Sequence, residues 1–155
     1  MMKATKITVR RGEQADLPAV HALVHELARY ERAEHEFTAS VADYRRDFDA
    51  GYFETLVAES GEKIVGMALY YTSYSTWKGR MLYLEDFVVQ EACRGQGIGR
   101  VLFDAFLEQA RQKGCRLAKW QILDWNEPAL NFYEKYRAVI EKEWWNGKIF
   151  FEAAP

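Results

Sequence analysis

The chain has little excess charge of either sign and lacks a long apolar run. Its 155 residues carry a net charge of −2 at pH 7, whereas proteins that bind nucleic acid or a membrane surface by electrostatics need a basic field. No apolar run approaches the roughly 20 residues of a membrane-spanning helix. We therefore expect no nucleic-acid partner and no membrane partner, so any polyanionic ligand must be held by a local site.

Cysteine is also scarce, since the chain has only Cys93 and Cys115. Two cysteines without metal-ligand spacing form neither a disulfide framework nor a zinc site, and nothing resembling a signal peptide precedes the first apolar residues. His21 and His25 share a predicted helix, but Arg29 stands where the zinc-protease HExxH pattern requires its second histidine. We expect a soluble, cytoplasmic protein without a metal.

Apolar and aromatic residues are abundant by comparison, at 49% and 15% of the chain. The length fits one compact domain, because single domains most often contain about 100–150 residues. We expect a single domain over residues 1–155. Its aromatic residues suit either a large core or the walls of a pocket for an organic ligand.

An apolar run, a glycine-rich loop and a helix organise the sequence. Residues 82–89 are short and rich in aliphatic and aromatic side chains, which predicts a strand, and Arg94-Gly95-Gln96-Gly97-Ile98-Gly99 follows it. Apolar residues then recur at helical spacing, so a helix begins within the glycines. Because its first amides have no intrahelical partner and its dipole is positive there, this loop with Arg94 and Arg100 predicts a site for phosphate oxygens.

Periodicity and turn signals predict the other elements. Further strands are predicted at residues 7–10, 54–59, 63–74 and 117–123, with a final hairpin of 138–144 and 148–151 around Asn146-Gly147. Asp16, Ser40 and Asn126 mark the starts of three more helices, with Asp16 as a cap. The first half then forms an antiparallel meander, and the glycine helix is the crossover of a parallel βαβ unit.

Glu85 and Asp86 lie inside the apolar strand, which is an unusual place for carboxylates. Carboxylates are seldom buried unless paired, so these two need a solvated opening, a cationic partner or a chemical role. Strand alternation sends adjacent side chains to opposite faces, and both can serve one site only if a bulge interrupts the pleat. A salt-bridged or edge-strand pair with a structural role is the alternative.

Two other phosphate-binding loops do not fit the glycines. The nucleoside-triphosphate loop requires a lysine and then serine or threonine after its second glycine, and the dinucleotide fingerprint would place its third glycine at Arg100. Residues 94–99 instead resemble the Arg/Gln-x-x-Gly-x-Gly/Ala signature of the GCN5-related N-acetyltransferases (GNAT). The order of the predicted elements also matches that family.

Other segments narrow this resemblance to the diamine (spermidine/spermine) and thialysine acetyltransferases. They are Tyr30-Glu31, Ile64-Val65-Gly66, Trp77-Lys78-Gly79, residues 82–87, Trp125-Asn126-Glu127-Pro128 and Asn131-Phe132-Tyr133. The resemblance implies an α+β (α/β) GNAT fold, with a mixed central sheet of about six or seven strands flanked by about four helices. It also implies acetyl-CoA as the acetyl donor, a small-molecule primary amine as the acceptor in a ternary complex, and a homodimer.

The resemblance assigns roles to individual residues. It implies Tyr133 as the general acid, Glu85 as the base, directly or through water, and amine binding by Tyr30, Glu31, Glu85 and Asp86. It implies that three segments hold acetyl-CoA. By the same resemblance, the pantetheine arm pairs with Phe87, Val88 and Val89 and is lined by Asn126, Glu127, Pro128 and Ala129. The pyrophosphate lies on the loop of Arg94, Gly95, Gln96, Gly97, Ile98, Gly99 and Arg100.

Departures from the family pattern bear on the acceptor and on the last helix. Ser75 stands where polyamine-acetylating relatives carry an acidic residue, and this departure is more typical of the thialysine branch. Lysine-like amino acids and diamines both remain candidate acceptors. Arg137 stands where the family has glycine, and in the left-handed conformation it would carry roughly 1–2 kcal/mol of strain. Alternative functions are a peptide or protein amine acetyltransferase and a non-catalytic acetyl-CoA-binding regulatory module, although the presence of both Glu85 and Tyr133 favours an enzyme.

Overall fold

The computed structural model describes residues 6–152, and the bounds below refer to that range. The strands are β1 (Ile7–Arg11), β2 (Glu54–Ser60), β3 (Lys63–Ser75), β4 (Gly79–Val89) and β5 (Leu117–Trp120). The α-helices are α1 (Leu17–Tyr30), α2 (Val41–Asp49), α3 (Ile98–Gln112) and α4 (Glu127–Glu134). The chain divides into a larger compact unit that ends at Gln121 and a smaller one that begins at Ile122.

The larger unit contains one mixed sheet whose strands lie in sequence order. β1 to β4 pair antiparallel, and β5 pairs parallel to β4 after the crossover through α3. The predicted meander and parallel βαβ unit are therefore confirmed. The described residues form five strands rather than the predicted six or seven.

Helices pack on both faces of this sheet. Val20, Leu23 and Val24 of α1 join Met67 and Leu69 of the central strand β3 in one buried cluster. The next residue along β3, Tyr70, packs against Phe106 of α3, with ring centroids 5.5 Å apart, because adjacent strand side chains point to opposite faces. Each such buried aliphatic side chain contributes about 1.5–3 kcal/mol. The sheet centre that carries Glu85 and Asp86 is therefore held from both sides.

The predicted helix starts differ in how they are capped. Ser40 caps α2 as the sequence indicates, since its hydroxyl accepts the Asp43 N–H at 3.1 Å and the Asp43 carboxylate accepts the Ser40 N–H at 2.9 Å. Asp16 occupies the predicted N-cap position of α1, but its side chain makes no capping hydrogen bond to that helix. Its carboxylate instead accepts the Glu13 N–H at 2.7 Å and pairs with Arg10 at 2.8 Å.

The smaller unit contains α4, whose first turn is capped by Asn126 through a 3.2 Å bond from the Ala129 N–H. The predicted hairpin around Asn146-Gly147 is wrong, because residues 138–152 contain no strand. Asn-Gly favours a tight turn, but an isolated two-stranded hairpin is marginal without a further strand or helix to pack against. Apolar side chains there are exposed, including Trp145 at 94%. β5 likewise ends at Trp120, short of the predicted residue 123.

None of the helices described over residues 6–152 has both the length and the apolar character that crossing a bilayer requires.

Candidate active site

A β-bulge in β4 occurs at the two carboxylates. Leu84 lies opposite Tyr70 of β3 and Asp86 lies opposite Leu69, so Glu85 has no register partner. A bulge sets two residues of one strand against one of its neighbour and interrupts the alternation of faces. The bulge that both carboxylates need in order to serve one site is therefore present.

Three carboxyl groups, Glu31, Glu85 and Asp86, form an acid cluster in which the charges of the first two act on Asp86. Burial, reinforced by the negative charges of Glu85 and Glu31, raises the pKa of Asp86 to about 7. Burial also raises the pKa of Glu31, just beyond the end of α1. The Glu85 side chain is exposed. The acid cluster thus combines a carboxyl that titrates near neutral pH with a solvent-accessible carboxylate.

Tyrosines that the sequence analysis did not assign surround the acid cluster. The Tyr71 hydroxyl donates a hydrogen bond to Glu85 Oε2 at 3.2 Å, and its ring stacks on Tyr83 with centroids 5.3 Å apart. Burial and the charges of Asp86 and Glu85 raise the pKa of Tyr44 on α2. The register of the β3–β4 hairpin was the sequence signal that could have placed Tyr71 beside this cluster. Counted back from the turn at Trp77, it pairs Tyr71 with Tyr83.

Arg94 connects the end of α1 with the end of β4. Its guanidinium carbon lies 5.3 Å from the centroid of the Tyr30 ring, a cation–π distance. Its Nε donates to the Val89 carbonyl at 3.1 Å. Arg94 therefore brings three predicted parts of the site close together. They are the amine site, through Tyr30, the pantetheine strand, through Val89, and the phosphate loop, to which Arg94 itself belongs.

The glycine loop, residues 94–100, has two left-handed glycines and leads into the start of α3. Gly95 and Gly97 are left-handed, with φ of +79° and +78°, and a Cβ on either would meet no protein atom within 4 Å. Gly97 caps α3, and its carbonyl accepts the Val101 N–H at 3.3 Å. The amides of Ile98, Gly99 and Arg100 precede that first bond, and so they form the positive end of a 15-residue helix. These residues fit a pyrophosphate.

β4 extends beyond its parallel partner. The β4–β5 ladder ends where Leu84 lies opposite Trp120, while β4 continues to Val89 and remains paired with β3 on its other edge. β5 therefore does not run alongside Phe87, Val88 and Val89. An edge of this kind can pair with an extended chain of amides by strand addition. This feature fits the predicted role of these three residues toward the pantetheine arm.

The remaining site residues belong to the smaller unit. Tyr133 lies on α4, is 6% exposed, and has its ring centroid 5.3 Å from that of Phe132. Glu127 and Pro128 occupy the exposed first turn of α4. Arg137 has a φ of +56°, the left-handed conformation in which glycine is favoured. The roles assigned to Tyr133 and to residues 126–129 stay predictions.

The two helical histidines are used locally. His21 Nε2 lies 2.8 Å from the Ala39 carbonyl oxygen, and His25 Nε2 lies 2.7 Å from the Glu34 carboxylate. In the part of the chain that the structure describes, no three His, Cys, Asp or Glu side chains are grouped to hold a metal.

The chain is similar in sequence to known acetyltransferases. A family profile described as the acetyltransferase (GNAT) family matches residues 18–138. The thialysine N-epsilon-acetyltransferase of Bos taurus is 36% identical over 152 residues, which cover 90% of this chain and 89% of the relative.

Solved structures add agreement at the level of the fold. An aminoglycoside acetyltransferase from an uncultured soil metagenomic sample matches with a TM-score of 0.78 at 20% identity, over 94% of this chain and 97% of that one. An aminoglycoside N-acetyltransferase in complex with CoA matches with a TM-score of 0.77 at 15% identity, over 96% and 98%. At these identities the likeness concerns the fold alone.

Proposed function

Because the chain belongs to the acetyltransferase (GNAT) family, we propose that it acetylates the primary amine of a small molecule by direct attack in a ternary complex. The family uses acetyl-CoA, and the chain is an N-acetyltransferase of that family. The observation that carries the proposal is the bulge in β4, which makes Glu85 and Asp86 available to one site. The glycine loop follows the same strand, and we propose that residues 1–155 act as one domain.

On the acceptor side, the chemistry requires a cation to be bound and then deprotonated. An alkyl ammonium has a pKa near 10.4 and is not a nucleophile until it loses a proton. In the proposal, Asp86, Glu31 and Tyr30 bind the ammonium, and its positive charge favours the ionised form of Asp86. Glu85 accepts the proton, directly or through water, and its exposure lets the proton pass to solvent.

On the donor side, acetyl-CoA supplies a thioester whose carbonyl carbon is open to attack. The amides of residues 97–100, with Arg94, Gln96 and Arg100, are proposed to hold the pyrophosphate. Phe87, Val88 and Val89 are proposed to pair with the pantetheine arm, and residues 126–129 to line it. As the N–C bond forms and the C–S bond breaks, a backbone N–H of β4 stabilises the oxyanion and Tyr133 protonates the leaving thiolate.

The acceptor that we propose is a lysine-like amino acid such as thialysine, or a diamine or polyamine. The name of the Bos taurus relative supports the first. Ser75 supports it as well, because the last residue of β3 is then not the carboxylate that a polyamine site would use there. The three carboxyls of the acid cluster, which suit a polycation, support the second.

A panel of amines assayed with acetyl-CoA tests the proposal and names the acceptor. Thialysine, lysine, ornithine, putrescine, spermidine and a peptide with a free N-terminus are compared by release of free thiol and by the mass of the product. We expect acetylation of small amines above the peptide. Peptide acetylation alone would favour the peptide alternative, and acetyl-CoA binding without any transfer would favour a regulatory module.

We also propose that the protein forms a homodimer in a reducing cytoplasm. Trp144, Trp145, Ile149, Phe150 and Phe151 are each at least 67% exposed in the smaller unit. Contiguous exposed apolar side chains of this kind mark protein interfaces. Cys93 and Cys115 are free thiols, which a reducing compartment maintains. Light scattering during gel filtration tests the assembly, with a particle of twice the chain mass expected and a monomer at all concentrations contradicting it.

A further inference from the structure

We propose that Tyr71 is a positioning residue for acetyl transfer, whose phenol holds the Glu85 carboxylate in the orientation that accepts the amine proton. This inference rests on the function proposed above and deepens it, because it adds a residue that the family signature does not mark. The proposed chemistry gives Tyr71 no part in holding the acetyl donor and no bond to form or break. Its contribution acts through Glu85.

The hydrogen bond supplies a constraint that the strand does not. Glu85 is the bulged residue of β4 and has no cross-strand register partner, and its side chain is exposed. An exposed glutamate with three rotatable side-chain bonds otherwise samples several rotamers. The Tyr71 hydroxyl engages Oε2 at 3.2 Å. With Oε2 held, Oε1 is the oxygen left for the ammonium proton.

The Tyr71 phenol is itself fixed by its neighbours. Tyr71 lies directly opposite Tyr83 in the β3–β4 ladder, and the two rings stack at 5.3 Å with an interplanar angle of 27°. The Tyr71 side chain is half-buried. A group held in this way positions its partner at little further entropic cost, which is how supporting residues pre-organise a site.

Tyr71 stays a hydrogen-bond donor throughout the reaction. Burial and the nearby Glu85 carboxylate, with smaller contributions from Tyr83 and Asp86, raise the pKa of Tyr71 to about 12. The phenol is therefore protonated at neutral pH and does not compete with Glu85 as the base. The amine proton moves to Glu85, the N–C bond forms as the C–S bond breaks, and the Tyr71 proton remains on its oxygen.

Tyr71→Phe tests the inference, because it removes the hydroxyl and keeps the ring. We expect kcat to fall about tenfold while the KM for acetyl-CoA stays the same, since a hydrogen bond to the charged base is lost and the three proposed donor-binding segments are unchanged. Tyr83→Phe is the matched control. It removes the hydroxyl from the other ring of the same stack, and no hydrogen bond from that hydroxyl to Glu85 is seen within residues 6–152. We expect its kcat to stay within about twofold of wild type.

A double-mutant cycle with Glu85→Gln separates positioning from a general structural role. If Tyr71 acts through Glu85, Tyr71→Phe lowers the residual rate of Glu85→Gln little or not at all. A loss of packing would lower the rate by the same factor in both backgrounds. Thermal unfolding of each variant establishes that the compared proteins are folded at the assay temperature.

The outcomes distinguish this inference from the proposed function. If wild type acetylates an amine but Tyr71→Phe keeps full kcat, or its loss persists undiminished beside Glu85→Gln, the positioning role is overturned and the proposed function stands. If wild type acetylates no amine, the proposed function and this inference fail together.

Discussion

The glycine loop and the acid cluster are built in different ways. The loop is one contiguous segment whose conformation follows from its own glycines and from the start of α3. The acid cluster takes Glu31 from the end of α1 and two carboxylates from β4, and its geometry depends on a bulge and on contact with β3. A local change can therefore disrupt the glycine loop, whereas the acid cluster depends on strand register, burial and neighbouring charge.

The largest expected effect separates binding from chemistry. Tyr133→Phe removes the proposed proton donor of the thiolate, so we expect turnover to fall by about 10²–10⁴. Affinity for acetyl-CoA, measured by calorimetry, and the KM for the amine should stay close to wild type, because neither the glycine loop nor the acid cluster is altered. Wild-type turnover in this variant would remove the acid role from Tyr133.

Gly97→Ala tests the loop side of the comparison. It places a Cβ on a left-handed residue, at roughly 1–2 kcal/mol of strain, where the pyrophosphate is proposed to approach. We expect affinity for acetyl-CoA to fall about tenfold or more, by calorimetry, with the amine KM little changed.

Gly51→Ala is its matched control. Gly51 has a φ of +82°, also has no atom within 4 Å of an added Cβ, and follows α2 outside the glycine loop. Both variants should lose similar stability, but only Gly97→Ala should lose affinity. An equal loss of affinity in both would attribute the effect to strain in general.

Asp86→Asn tests the cluster side through pH. The folded-state pKa of Asp86, about 7, lies above the unfolded value of about 3.9. Ionisation therefore disfavours the folded state increasingly as pH rises from about 4 to 7, and the penalty is constant above that range. Below about pH 4 the carboxyl is neutral in both states, and no penalty exists.

We expect Asp86→Asn to unfold several degrees above wild type at pH 8, and at the same temperature as wild type near pH 4. Its amine KM should rise severalfold, because one ammonium-binding charge is lost. Exposed Glu62 in the β2–β3 turn offers a control, and Glu62→Gln should show neither change. A lower melting temperature of Asp86→Asn at pH 8 would contradict burial of a destabilising charge.

The smallest effect concerns the smaller unit, outside both regions. Arg137→Gly relieves the left-handed strain at φ +56°, so we expect about 1 kcal/mol of added stability in denaturant unfolding. Arg45→Gly inside α2 makes the same substitution at a helical position, and there we expect a loss of about 1 kcal/mol. Destabilisation by Arg137→Gly would mean that the arginine side chain contributes more than the strain costs.

The sequence predicted the parts of the fold that depend on local patterns. The meander, the βαβ unit and the glycine loop were predicted because periodicity, turn residues and three glycines specify them within short stretches. The bulge at Glu85 could be stated only as a condition, since alternation alone separates adjacent side chains. Tyr71 was missed because its contact with Glu85 joins two strands across a turn.

The C-terminal hairpin failed for a related reason. Asn146-Gly147 is a strong turn signal, but a turn does not supply a surface for its strands to pack on. The Asp16 side chain does not cap α1 because Arg10 of β1 pairs with its carboxylate. In both cases a tertiary partner, present or absent, outweighed the local signal.

Transfer of an isotopically labelled acetyl group tests the central claim most directly. Protein is incubated with acetyl-CoA labelled in the acetyl carbons and with the best amine of the panel, and label in the amine is compared with thiol released. We predict one labelled acetyl per thiol, with the rate strongly reduced in Glu85→Gln. Thiol release without label in the amine, or a Glu85→Gln rate equal to wild type, would contradict the account.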